Sequence, residues 1–163
     1  MMRSERTVLQ WRCFWYLAII PRVKHMFVNP NDVKNLRWHE DDRKCDRLLL
    51  HQDDSLQWKN IDKEFSKFRN ESRNLRLGLA IDGMNTFGNL SSNHISCHVF
   101  LVIYNLPLGL CMKCKYMMPS TMISSPKQPG NDINVYLSPL IEDLKLLWDH
   151  GIEVFDGFVN ESF

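Results

Sequence analysis

The sequence predicts an α+β fold: a helical or irregular flank over residues 1–72, then strand, strand, strand, helix and strand over residues 73–163. Three observations carry this reading. Leu75, Leu77 and Leu79 alternate with Arg76 and Gly78, and Ala80 and Ile81 then lead to Asp82, the two-residue period of a strand. Ser96 to Tyr104 (SCHVFLVIY) is rich in β-branched and aromatic residues, which fit a buried pleated surface. Ser138 is placed as an N-cap with Pro139 at the first helical position; Leu140, Ile141, Leu144, Leu147 and Trp148 then line one face up to Gly151, a helix stop.

The remaining elements follow in order. In the flank, Phe14 to Phe27 is apolar and aromatic and is interrupted by Pro21. Asn31 or Asp32 is placed to cap a short helix running to about Arg43, and Asp41 to Asp54 reads as polar loop. Trp58, Ile61, Phe65 and Phe68 recur at helical spacing and predict one amphipathic face. Trp38 and Trp58 read as core anchors. After the first strand of the second segment, Gly83, Asn85 and Gly88 supply a turn. Asn105-Leu106-Pro107 ends the next strand, Tyr116 to Ser124 forms a third, and Ile152 to Phe155 begins a fourth.

Composition bounds the function. A chain of 163 residues, 44% hydrophobic and 24% charged, can bury one ordinary globular core. Its net charge of +1 supplies no global field toward nucleic acid. Basic residues between Arg37 and Arg76 are interleaved with Glu40, Asp41, Asp42, Asp46, Asp53 and Asp54, as on a solvated mixed-charge surface. Cysteines 13, 45, 97, 111 and 114 form an odd set without framework spacing, so reduced thiols in an intracellular protein are expected. Arg3, Arg6 and the run Phe14 to Ile20 imitate a signal sequence, but Glu5, Arg12 and the lack of a small-residue cleavage site argue against one. Val99 to Met112 is too short to span a bilayer and is broken by Pro107 and Gly109, so no membrane partner is expected. Cys97, His98, Cys111 and Cys114 are zinc-binding types. Adjacent strand residues face opposite ways, so Cys97 and His98 cannot share an ion and zinc is not expected.

Asp82 carries the most chemical information. A carboxylate where an apolar strand meets a glycine is held stiffly at a sheet rim, as a divalent cation requires of an oxygen ligand. The same pattern also suits an aspartate that only caps a turn.

Longer blocks narrow the choice. Arg73 to Gly88 reads RNLRLGLAIDGMNTFG; Tyr104-Asn105-Leu106-Pro107 and then Pro126 to Leu137 (PKQPGNDINVYL) follow it. Arg37-Trp38-His39, His51, Asp54-Ser55 and Trp58 precede it. In this order, from about Trp15 to about Asp156, the chain resembles the transposase of plant CACTA-type (En/Spm-like) DNA transposons. The resemblance implies an RNase H-like core, of which residues 73–163 would be the first half. It implies the DDE-type cut-and-paste reaction, in which Mg2+ or Mn2+ ions on three acidic residues assist phosphodiester hydrolysis at a transposon end. Strand transfer into target DNA follows. It implies transposon ends and target DNA as partners, a homo-oligomer or another transposon-encoded protein beside them, and a nuclear location.

By position, Asp82 matches the first, metal-bridging acid of that family. Asp132, in the Gly-Asn-Asp block, and Asp156 are weaker candidates for the second. The family's stronger fourth-strand acid lies past Phe163, as does the third, a glutamate on a late helix. The chain is therefore expected to be a fragment without a complete acidic triad, inactive alone. Met84 and Thr86 stand where relatives carry Phe and Pro, Asn93 to His98 departs from their pattern, and their upstream cysteine-rich segment is absent. The alternative is a non-catalytic protein- or DNA-interaction module derived from a transposase.

Overall fold

The alternating and β-branched runs become the longest strands of a computed structural model that describes residues 13–41, 50–85, 95–125 and 132–163. The chain starts with β1 (Cys13–Tyr16), α1 (Ile20–Val28), α2 (Pro30–Leu36) and α3 (Trp38–Asp41). A 3-10 turn (Gln52–Asp54) precedes α4 (Leu56–Glu64) and α5 (Ser66–Arg69). Then come β2 (Leu77–Asn85), β3 (Ile95–Ile103), α6 (Leu108–Cys111), β4 (Met118–Ser125) and α7 (Ile133–His150). A short hairpin, β5 (Phe155–Asp156) and β6 (Glu161–Ser162), ends it. The main sheet has the order β1-β4-β3-β2, with every neighbouring pair antiparallel. The fold is thus mixed α+β, and β2 lies at a sheet edge.

One hydrophobic cluster joins the flank to the sheet. Ile19, Val23 and Phe27 around α1 and Val33 and Leu36 of α2 pack with Val99, Leu101 and Ile103 of β3, Leu140 of α7 and Val154. Each such side chain stabilises by roughly 1.5–3 kcal/mol when fully buried. The core therefore runs across the boundary expected at residues 72–73.

The helix expected from Asn31 or Asp32 is capped instead by Asn29, whose side chain accepts the Asn31 N–H, and it divides into α2 and α3. Three larger departures from the sequence reading follow. First, the flank is not wholly helical or irregular: Cys13–Tyr16 pairs with Thr121–Ser124 as β1. Pro21 does not break that apolar run midway but opens α1, where its missing N–H costs nothing. Second, α7 starts at Ile133 and carries Pro139 inside it. Packing outweighs the proline's cost of about 3 kcal/mol: Tyr136 meets Phe14 with ring centroids 5.5 Å apart, and Leu137 lies against the core. The Tyr16 hydroxyl also donates to Asp143 on this helix; burial, and then that carboxylate, push its pKa up. Third, the expected fourth strand does not join the main sheet. Phe155 and Asp156 pair only with Ser162 and Glu161. Asn160, in the left-handed region at φ 65°, helps turn the chain back.

Asp156 explains the hairpin. It is completely buried, and its Oδ1 accepts the N–H groups of Phe158 (2.9 Å) and Val159 (3.1 Å). Arg73 donates to its Oδ2 at 3.2 Å, makes two bonds to Glu71 at 2.7 Å, and stacks on the Phe163 ring at 3.7 Å. The bond to Glu71 raises the Arg73 pKa further and holds the Glu71 carboxyl below its usual range. Removing one member of a buried pair strands the other charge. Arg73→Ala should therefore destabilise by about 3–5 kcal/mol in urea titration, and exposed Glu161→Gln by less than about 1 kcal/mol. Equal small losses would show that the Asp156 charge is not held by Arg73.

His39 gives a second handle. Its Nδ1 lies 3.1 Å from the Leu36 carbonyl and its ring meets Trp58 edge-on at 5.7 Å. Burial lowers its pKa. The folded state then binds fewer protons than the unfolded chain just below the ordinary histidine pKa of roughly 6.5. This contribution is whole above that pH and is lost as pH falls toward the depressed folded value. The melting temperature should drop between pH 7.5 and 5.5, and His39→Gln should flatten that limb; an identical slope in the variant would contradict the assignment.

Candidate functional site

Asp82 lies within β2, not at its end. The strand continues through Gly83 and Met84 to Asn85, which pair with Cys97, Ser96 and Ile95, so the turn expected at Gly83 and Asn85 is not there; Gly88 lies outside the described residues. Asp82 stands opposite His98, His98 opposite Met122, and Met122 opposite Trp15. Directly opposed residues of antiparallel strands share a face. One row thus crosses all four strands from the acid to Trp15, with Asp82 exposed, His98 half-buried, Met122 37% exposed and Trp15 49% exposed. Cys97 alternates to the other face and is buried. Burial pushes its thiol pKa up, and the nearby Asp82 charge adds to the effect.

The other candidate acids are on separate elements. Asp132 is the exposed N-cap residue of α7 and makes no side-chain capping bond. Asp156 is sealed in the hairpin with Arg73, so its oxygens already serve the fold. No group of three or more His, Cys, Asp or Glu that could hold a metal ion occurs among the described residues. A two-metal centre needs several fixed oxygen ligands. The described residues offer one exposed carboxylate on β2 and do not fit that set. Cys111 is buried and its thiol donates to the Leu108 carbonyl at 3.3 Å, while Cys114 is exposed. No helix of the described residues is long and apolar enough to cross a membrane.

Several sequence-marked residues hold the entry to β2. Asn105 is fully buried: its Oδ1 accepts the Arg76 N–H at 2.6 Å and its Nδ2 donates to the Asn74 carbonyl at 2.9 Å. His51 takes the Asp53 N–H on Nδ1 (3.2 Å), so its Nε2 carries the proton donated to the Leu106 carbonyl at 3.0 Å. A Cβ at Gly78 would overlap the Tyr104 ring, so a larger residue there would push that ring aside. The sequence marks these residues by type, but only long-range geometry shows their partners.

Beside this entry lies an apolar cleft of about 770 Å³, walled by Trp58, Ile61, Phe65, Phe68, Leu144 and Trp148. The predicted amphipathic face forms one side of it, although Phe65 breaks the helix between α4 and α5. The Arg76 guanidinium lies 3.9 Å over Trp58 and pairs with Asp62.

Residues 46–163 match the transposase family tnp2. Among curated proteins and among solved structures, none matches the chain. The match covers the strand bearing Asp82, the Asn105 anchor and the Asp156 hairpin.

Asn105→Ala leaves the Arg76 N–H and the Asn74 carbonyl without their partner. It should cost about 2–4 kcal/mol by urea titration and raise hydrogen exchange at the Arg76 amide. Unchanged protection there would sink the anchoring role.

Proposed function

The chain belongs to the tnp2 transposase family, and from that premise we propose that it serves a DDE-type cut-and-paste DNA transposase, with Asp82 as the first acid of the nuclease centre. The carrying observation is an exposed carboxylate within a long, paired strand of a four-stranded sheet, inside the family-matched region. A β2-β3-β4 meander followed by α7 supports reading residues 73–163 as the opening of an RNase H-like core. The CACTA-type assignment, DNA ends as substrate and a nuclear location follow from the same reading.

In an intact core of this kind, Asp82 together with further acids would hold Mg2+ or Mn2+, whose Lewis acidity would serve phosphodiester hydrolysis. Asp82 would offer one carboxylate arm, braced by the ladder to β3. The described residues complete no second arm, so the chain alone should not cleave DNA. The apolar cleft beside Trp58 and Trp148 supports a second reading, a transposase-derived interaction module without catalysis.

Titration calorimetry with Mn2+ separates the two. The first reading predicts weak binding that falls at least about tenfold, or 1.4 kcal/mol, in Asp82→Asn. A labelled duplex should stay intact with either protein. Mn2+ binding that is indifferent to this substitution would refute the role of Asp82.

A further inference from the structure

β2 runs for nine residues and is paired on one side only. Tyr104 donates its N–H to the Arg76 carbonyl, and the direction of hydrogen bonding alternates along a strand. Gly78, Ala80 and Asp82 therefore bond toward β3, while Leu77, Leu79, Ile81 and Gly83 turn their N–H and C=O groups to the outer edge. The usual protections of such an edge are missing: β2 has no proline, no lysine and no bulge against β3. Its outward residues are also apolar. Leu79 is 49% and Ile81 51% exposed, on the sheet face where α7 packs over β4 and β1 and leaves β2 uncovered. The other face carries a donor and an acceptor. The tip of the Tyr104 ring, hydroxyl included, fills the space of a Gly78 side chain, and that hydroxyl bonds to no described residue. Asp82 stands four residues on, exposed on the same face.

We propose that β2 pairs edge to edge with β2 of a second copy of this chain, antiparallel about a two-fold axis at Ala80. This register sets Leu79 opposite the partner's Ile81, and Ile81 opposite the partner's Leu79, so two apolar pairs close the exposed patch. It sets Asp82 opposite the partner's Gly78, beside the partner's Tyr104 hydroxyl, which then donates to the carboxylate. At the axis Ala80 meets its own copy, where a small side chain suits a close pair with Cα atoms about 4.5 Å apart. An axis at Ile81 would leave Leu79 facing Gly83, and an axis at Asp82 would oppose two carboxylates, which repel. The edge is thus complementary to itself, which argues for a second copy as its occupant. The pairing uses the same edge on both copies, so growth stops at a dimer. It rests on the exposure and register of β2 and needs neither the transposase reading nor a metal.

The test is sedimentation equilibrium of the full chain, in chelator, over a range of loading concentrations. Wild type should approach twice the monomer mass as concentration rises. Ile81→Lys sets a charge against the partner's Leu79 and should weaken the dimer at least about tenfold. Tyr104→Phe keeps the ring, deletes both hydroxyl–carboxylate bonds and should weaken it about tenfold. Ala80→Cys, mildly oxidised and mapped by mass spectrometry, should form an 80–80 link, since the paired Cα atoms lie within disulfide reach. Gly83→Cys, with open space around it, should not link to itself, because the two positions lie about 20 Å apart in this register. A chain that stays monomeric, or a dimer that tolerates Ile81→Lys and gives no 80–80 link, would overturn the proposal. An 83–83 link would overturn the register, and mass rising without limit would overturn the closed pairing. If Ile81→Lys does not fold, the two cysteine variants decide. Because metal is excluded, failure of Asp82 to bind an ion leaves this result untouched.

Discussion

A carboxylate sealed from solvent has to be neutralised where it lies, and Arg73 does this for Asp156. The pair binds the entry of β2 to the closing hairpin, and Phe163 stacks on the same guanidinium. A few residues on, Asn105 replaces water for the Arg76 N–H and the Asn74 carbonyl. Two buried polar contacts therefore fix where β2 begins. The ladder to β3, in register from Leu77–Ile103 to Asn85–Ile95, carries that fixed position out to Asp82.

This arrangement separates acids that look equivalent in the sequence. Asp82 and Asp156 both follow short apolar runs. Asp82 has strand partners on one side and solvent on its carboxylate, so its oxygens are free to take a new ligand. Asp156 has its oxygens occupied by a guanidinium and two backbone N–H groups, which makes it a building element of the hairpin. Asp132 is exposed but stands at the head of α7, on another element. Asp82 lies inside the region that matches the transposase family, and no group of three metal-ligating side chains forms around it among the described residues.

Much of the sheet was legible because period-two patterns and β-branched runs are local signals. They located β2, β3 and β4 within a few residues. The cross-strand row from Asp82 to Trp15 was not legible, because it needs β1, and a four-residue strand ahead of a proline resembles the start of a helix. Pro139 misled for the opposite reason: it is a strong local signal overruled by tertiary contacts of Tyr136 and Leu137. The Asn105-Leu106-Pro107 block was visible as a motif, but its work as an anchor depends on residues 29 and 31 positions upstream.

The account stands on Asp82 being the carboxylate that meets a divalent ion. Paramagnetic broadening of backbone amide signals by sparing Mn2+ tests this most directly. Signals around Asp82 on β2 and His98 on β3 should fade first, with the Asp156 hairpin and the start of α7 spared. Broadening centred on Asp156 or Asp132, with β2 unaffected, would contradict it.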